Sequence, residues 1–498
     1  MSTILQRAVK SIPPSIGFAL CLVVLYWVTH QFAALMLGPQ GIHFIRQSDS
    51  LSFASNYFLF DYGLFEPHVF NLTSTDGAAA CEFPVLYYIA AMVYRFTGES
   101  YSVLRIIHLA IISCGFIAAF QFMHRRVKDF VIATSLTIIL ITSTVVMYYA
   151  SNFLVDSAAL GLALLGIERF DRFRSSEMTR HYVLSVLFFT LSCLLKITFA
   201  IWPLALFGAL FSTQKPFLKR AHLALLLPVV SAVIWFSIAT LYNQRSGDDY
   251  FLTSSIPIWQ LSTGETAQLL DAVTHYWVGS YYPPITRWAL LIALGLFAWN
   301  IKRHDRFELK FMAIAFMGMV CYFLLMGRAF INHDYYLLPI IPWILLLLSC
   351  LSTPLLRLNN RKIQRALILA PVVVCLGAVT YTSQKLERRY FMSNDPFDDA
   401  ALTIREEISS HALPMPDYGQ QVIVIGDPTR NGTLLHLQSK GMTYPNMHHF
   451  ESAVNGQETP ENATMIYSTG ALSEEQLQQL SAQTIGNTEH WYYYRINR

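Results

Sequence analysis

In the run Phe44-Ile45-Arg46-Gln47-Ser48-Asp49-Ser50 an arginine and an aspartate stand three residues apart, just beyond a long apolar segment, Ser15 to Leu37. If that segment spans a bilayer with Arg7 and Lys10 in the cytoplasm, Asp49 is a carboxylate at the far boundary of lipid and water. Such a group can take a proton from an acceptor hydroxyl while a membrane-bound donor lies alongside. The plainer use of the same residues is an exposed Arg46–Asp49 ion pair after a helix.

Further ionisable residues fall at comparable places. Glu82-Phe83-Pro84 opens a short apolar run bearing Tyr87 and Tyr88, and Asp156 ends the turn Asn152-Phe153-Leu154-Val155-Asp156 between apolar segments. Lys196 interrupts another apolar stretch, and Arg328 precedes His333-Asp334-Tyr335-Tyr336. One ionisable residue at a span end is usually a snorkelling anchor. Several acids and bases on one face, between otherwise short loops, point to a site.

The elements that must position them are membrane spans. Of the 498 residues 54% are hydrophobic and 13% charged, and mean hydropathy is +0.40; this is the balance of a polytopic helical membrane protein. A net charge of +3, with basic residues confined to short loops, argues against a nucleic-acid partner. Six of the seven cysteines fall inside apolar segments and Cys81 stands apart in a loop, so no structural disulfide is expected. The first apolar segment reads as a retained anchor.

After it, residues 38–100 form a large aromatic loop whose end, Phe83 to Arg95, is too short to span and suits a helix in the interface. Spans are expected near 101–123, 130–150 and 154–170. The apolar stretch from Tyr182 to Phe211 would run about 45 Å as one helix, beyond the roughly 30 Å hydrocarbon core. Arg172, Arg174 and Arg180 precede it and Lys215, Lys219 and Arg220 follow it, so it is expected to go out and return, turning at Leu195-Lys196-Ile197-Thr198. More spans are expected near 222–242, 286–301, 309–327, 336–352 and 364–383. About eleven spans then alternate without conflict with the positive-inside rule. Residues 1–389 form the transmembrane domain, and residues 390–498 a small α/β domain outside the membrane. In that domain a strand at Gln421–Ile425 ends at Gly426-Asp427-Pro428, further strands are expected at Met465–Tyr467 and His490–Ile496, and Ser473 with Gln476 forms a capping box. It lacks a glycine-rich phosphate fingerprint. The sequons at Asn71, Asn431 and Asn462 would matter only in a secretory pathway.

In this order of parts, from Arg46-Gln47-Ser48-Asp49 through Glu82-Phe83-Pro84-Val85-Leu86-Tyr87-Tyr88, Asp156 and Lys196 to Tyr335-Tyr336-Leu337-Leu338-Pro339-Ile340-Ile341-Pro342, the chain resembles the GT-C membrane glycosyltransferases. In particular it resembles the relatives of protein O-mannosyltransferases and of the lipid A aminoarabinose transferase. The resemblance implies that Asp49 is the catalytic residue and Asp156 a second active-site carboxylate. It also implies a phosphate contact from a lysine ahead of the proline and aromatic run. This chain has Glu82 there, so that contact falls to Lys196 or Arg328.

The chemistry agrees with this inventory. In an inverting displacement a base deprotonates the acceptor on one side, and charge is stabilised on the other. The leaving phosphate is already anionic and needs a cation rather than an acid. Tyr87, Tyr88, Tyr335 and Tyr336 could stack on a sugar or form an interfacial belt. Asp49, Asp156 and His333 could hold a divalent metal, although hard-cation sites usually collect more carboxylates; no other cofactor is expected. The reading is a glycosyltransferase of the bacterial inner membrane, using a polyprenyl-phosphate sugar and an extracytoplasmic lipid, glycan or protein acceptor. A lipid-linked oligosaccharide ligase or polymerase, or a flippase, is the alternative.

Overall fold

A computed structural model describes residues 13–213, 220–252, 255–351, 361–392, 395–456, 460 and 462–497. Arg7, Lys10, Lys215, Lys219 and Arg357, which enter the charge argument for topology, lie outside the described residues. The chain forms two compact units, one from residues 1–35, 106–235 and 254–388, the other from residues 36–105, 236–253 and 389–498.

The first unit is a set of apolar helices. Among the described residues, Tyr101–Val127, His222–Ser246 and Arg306–Leu325 are long and apolar enough to cross a membrane. Phe130–Ile141 and Thr144–Ala150 would add a span, bent by 83°. The bend falls where Ser143 caps a new helix, its hydroxyl accepting from the Val146 amide at 3.4 Å. Shorter apolar helices include Pro14–Val28, Thr179–Leu195 and Pro284–Trp299. The first segment is thus shorter as a helix than its apolar run: His30 takes a left-handed φ of 60° and starts a separate turn. The stretch from Tyr182 to Phe211 does break at Lys196, which is extended (φ −152°, ψ 108°) between Thr179–Leu195 and a 3₁₀ turn leading into Ile201–Thr213.

Helix Asp156–Ser176 begins at the candidate carboxylate. It is fixed at both ends of its buried face. At its start, Gly161 lies against Gly115 so closely that a Cβ on Gly115 would meet the Gly161 Cα at 2.4 Å. About 10 Å further along, fully buried Glu168 pairs with Arg125 at 2.7 Å and with Arg172, while Asp171 holds Arg126 at 2.9 Å.

The second unit combines the large loop with the C-terminal sheet. The loop is built on helices Phe44–Leu59 and Val85–Thr97, the latter stopping at Gly98, whose φ of 77° suits only glycine. The sheet has five strands in the order β2-β1-β3-β5-β4. They are β1 (Gln421–Ile425), β2 (Gly441–Tyr444), β3 (Ala463–Ser468), β4 (Ala482–Asn487) and β5 (Tyr492–Ile496). β1 pairs in parallel with β2 and β3, and β5 runs antiparallel to β3 and β4. Ile423, Ile425, Ile466, Phe450 and Tyr494 form its core. The capping box at Ser473 and Gln476 is present.

Candidate functional site

Asp49 is carried on the second turn of helix Phe44–Leu59 and is 1% exposed, not at a surface. Its Oδ1 accepts from Asn431 Nδ2 at 2.8 Å and its Oδ2 from the Tyr250 hydroxyl at 3.2 Å. Burial pushes the carboxyl up to about 6, against the opposing pull of the Arg46 charge and of these two hydrogen bonds. Arg46, one turn away, is paired with Glu82, stands 3.8 Å from the Cys81 sulfur and lies over the Phe251 ring at 5.8 Å. The exposed Arg46–Asp49 pair is therefore replaced by an Arg46–Glu82 pair beneath which Asp49 keeps its own partners. Arg430 stacks over Tyr250 at 4.3 Å and reaches Asp249 at 3.2 Å. Tyr87 packs on Phe53 with ring centres 5.5 Å apart and meets the Ser50 hydroxyl at 3.3 Å, while Tyr88 lies edge-on to Tyr57 at 5.3 Å.

The first unit holds a separate cluster. Lys196 Nζ is 3.2 Å from Asp156 Oδ1 and faces the rings of Tyr335 and Tyr336 at 5.6 and 5.9 Å. The break in the helix at Lys196 is what releases its side chain toward the start of helix Asp156–Ser176. His333 stacks on both tyrosines, at 5.2 and 5.7 Å. Asp334 is fully buried and accepts from the Tyr149 hydroxyl at 2.8 Å. Tyr322 stacks on Tyr336 and donates to its carbonyl at 3.0 Å. Beside it opens an apolar groove of about 810 Å³ lined by Ile197, Thr198, Leu204, Met317, Tyr322 and Leu325. Arg328 stands apart from Lys196's group of partners: it is half exposed and its guanidinium pairs with Glu265 at 3.4 Å. Among the described residues no three His, Cys, Asp or Glu side chains gather as a metal site.

No family model matches the sequence, and no curated protein matches it either. Solved structures do. ArnT from Cupriavidus metallidurans bound to undecaprenyl phosphate superposes with a TM-score of 0.61 at 12% identity, over 96% of this chain and 97% of that one. The same protein in the apo state gives 0.61 and 12%, over 97% of each. This chain has the GT-C fold.

Within that GT-C fold the residues singled out in the sequence divide between the units. Asp49, Arg46, Glu82, Tyr87 and Tyr88 lie in the second unit, and Asp156, Lys196, His333, Tyr335 and Tyr336 come together in the first. Sequence reasoning did not find Asn431, Tyr250 and Arg430 as partners of Asp49, nor Tyr149 as the partner of Asp334. Asn431 stood out only as a sequon. Both it and Asn71 are buried with their amides engaged inside the unit, Asn71 Nδ2 donating to the Arg430 carbonyl at 3.0 Å. One signal was readable: Asn431 follows closely on the turn after a strand, where parallel sheets carry their functional loops.

Proposed function

We propose that this protein is an inverting glycosyltransferase that moves a sugar from a polyprenyl-phosphate carrier to an acceptor hydroxyl outside the cytoplasm. The observation that carries the reading is Asp49, a buried carboxyl near neutrality, held by two hydrogen bonds and set beside a cation. Asp49 accepts the proton of the acceptor O–H as that oxygen bonds to the anomeric carbon. The bond from that carbon to the carrier's phosphate breaks, and its electron pair stays on the phosphate oxygen. A group ionising near 6 is mostly charged at neutral pH yet basic enough to accept the proton.

For the carrier, the likeness to an ArnT bound to undecaprenyl phosphate supports a polyprenyl phosphate. Lys196 is assigned its phosphate, because it lies with Asp156 under two tyrosine rings and next to an apolar groove of a size that suits part of an isoprenoid chain. Arg328, half exposed and outside this cluster, is the weaker choice. The basic residues of the interhelical turns support a topology of about eleven spans, with residues 390–498 and the loop 38–100 outside a bacterial inner membrane. The sugar is a hexosyl or pentosyl group, and the acceptor a glycolipid, glycan or protein.

The test is transfer of radiolabelled sugar from a panel of polyprenyl-phosphate sugars in membranes containing wild type or Asp49→Asn at equal expression. Label that reaches an acceptor with wild type and is lost with Asp49→Asn supports the reading and identifies the acceptor. Equal labelling removes Asp49 from the chemistry, and no transfer with any donor turns the reading toward a ligase or flippase.

A further inference from the structure

We infer that Asn431, on the loop that follows β1, is the positioning residue of Asp49. The inference rests on Asp49 being the base. β1 is followed in the chain by β2 on one side of it and then by β3 on the other, so its carboxyl end is the switch point of the parallel part of the sheet. Open sheets of this kind bind ligands there. In this chain the crevice between β1 and β3 is filled. Gly426 has a φ of +103°, a Cβ on it would meet the Thr469 hydroxyl at 2.1 Å, and the Thr469 amide donates to the Ile425 carbonyl at 3.0 Å. The loop is turned instead to Asp49.

The loop is rigid for an identifiable reason. Asp427 is buried and accepts from the Thr429 amide and hydroxyl at 2.7 and 2.6 Å and from the Thr433 amide and hydroxyl at 3.0 and 2.6 Å. The Thr429 hydroxyl oxygen also accepts from the Gly432 amide at 3.0 Å. Asn431 lies between these ties, and the orientation of its amide is fixed. Its Oδ1 accepts from the Asn71 backbone amide at 3.1 Å and from the Ser52 hydroxyl at 3.4 Å. Turned the other way, its NH₂ would face the Asn71 N–H, donor against donor. Its Nδ2 is therefore directed to Asp49 Oδ1, where it favours the carboxylate over the acid.

The other groups that bear on Asp49 are Arg46, which carries Glu82, Cys81 and Tyr87 around it, then Tyr250, and Arg430 with its partner Asp249. None of them holds Oδ1. Without Asn431 the carboxyl titrates at higher pH and loses its fixed direction, so the variant should lose most activity on the acid side.

The experiment compares pH profiles of transfer for wild type, Asp49→Asn, Asn431→Leu and Asn431→Asp in membranes. With Asn431→Leu the acid limb is expected to move up by about half a unit or more, so the variant's rate relative to wild type falls about threefold further at low pH than at high pH. Asn431→Asp keeps the volume and sets a second carboxylate against Asp49, so its limb should move further in the same direction. If Asn431→Leu does not accumulate, Asn431→Asp carries the test. An inactive Asp49→Asn together with unmoved limbs, whatever the overall loss of rate, overturns the positioning role alone. An active Asp49→Asn overturns the base assignment and this inference with it.

Discussion

Asp49 is buried among groups that pull its ionisation both ways, so its neighbours should tune the reaction with opposite signs. Burial raises it to about 6, and Arg46, Asn431 and Tyr250 hold it down. Transfer should rise with pH through about 6 and fall about tenfold per unit below it, read from initial rates at saturating donor. A rate that stays flat from pH 5 to 8 would argue against a base with this ionisation. Glu82 gives a sharper check. Its charge sits on Arg46. Glu82→Gln keeps the side chain's shape, removes an anion near Asp49 and leaves the Arg46 charge less compensated. Both changes favour the carboxylate, so the acid limb should move to lower pH, opposite to the Asn431 variants. A shift upward would mean that Arg46 had swung away from Asp49 on losing its partner.

Helices deliver these side chains, and what the sequence revealed of them follows from how local each signal was. The break at Lys196 was legible because apolar length is a property of one continuous stretch. β1 and the capping box at Ser473 were legible because alternation and short spacing are local too. β2 is four residues with a glycine, and β4 (Ala482–Asn487) is largely exposed, so neither shows an apolar pattern. The partners of Asp49 are 382 and 201 residues away along the chain, and a single hydrogen bond over that distance leaves no periodicity to read. The contact between Gly115 and Gly161 was equally silent, yet it fixes the start of the helix that bears Asp156. A methyl group at either position meets backbone: the Gly161 Cα at 2.4 Å from one side and the Ile111 carbonyl oxygen at 2.7 Å from the other. Gly161→Ala should therefore destabilise the detergent-solubilised protein by about 1–3 kcal/mol, as overpacking typically does. Since both glycines serve one contact, adding Gly115→Ala should cost less than a second full increment. Additive losses in thermal melting would show that the two sites act separately.

At the scale of the whole molecule, the segment expected to be a separate C-terminal domain is bonded at several points between Asp398 and Gly441 to the loop near the N-terminus. The Gly441 amide donates to the Phe70 carbonyl at 3.0 Å, and its own carbonyl accepts from Leu72 at 2.8 Å, so loop residues extend the edge of the sheet at β2. The Gly41 amide is bound by Asp398 at 2.7 Å, and the Tyr101 hydroxyl meets His436 at 3.0 Å. Lys440 reaches the Asp76 carbonyl at 2.8 Å. Removing residues 390–498 takes away these partners together with the Asn431 bond to Asp49, and leaves backbone groups of the loop that water must then satisfy. The helices of the first unit keep their apolar surface and should hold the truncated chain in the membrane through alkaline extraction. The loop 38–100 should nevertheless become sensitive to protease on the side where it is exposed, and transfer should be lost even with an acceptor supplied in excess. If residues 390–498 served only to select the acceptor, the truncated protein would keep the loop as resistant as in the full chain, with residual transfer to a small soluble acceptor. Comparing cleavage rates within residues 38–100 in the two proteins separates an appendage from a part of the catalytic unit.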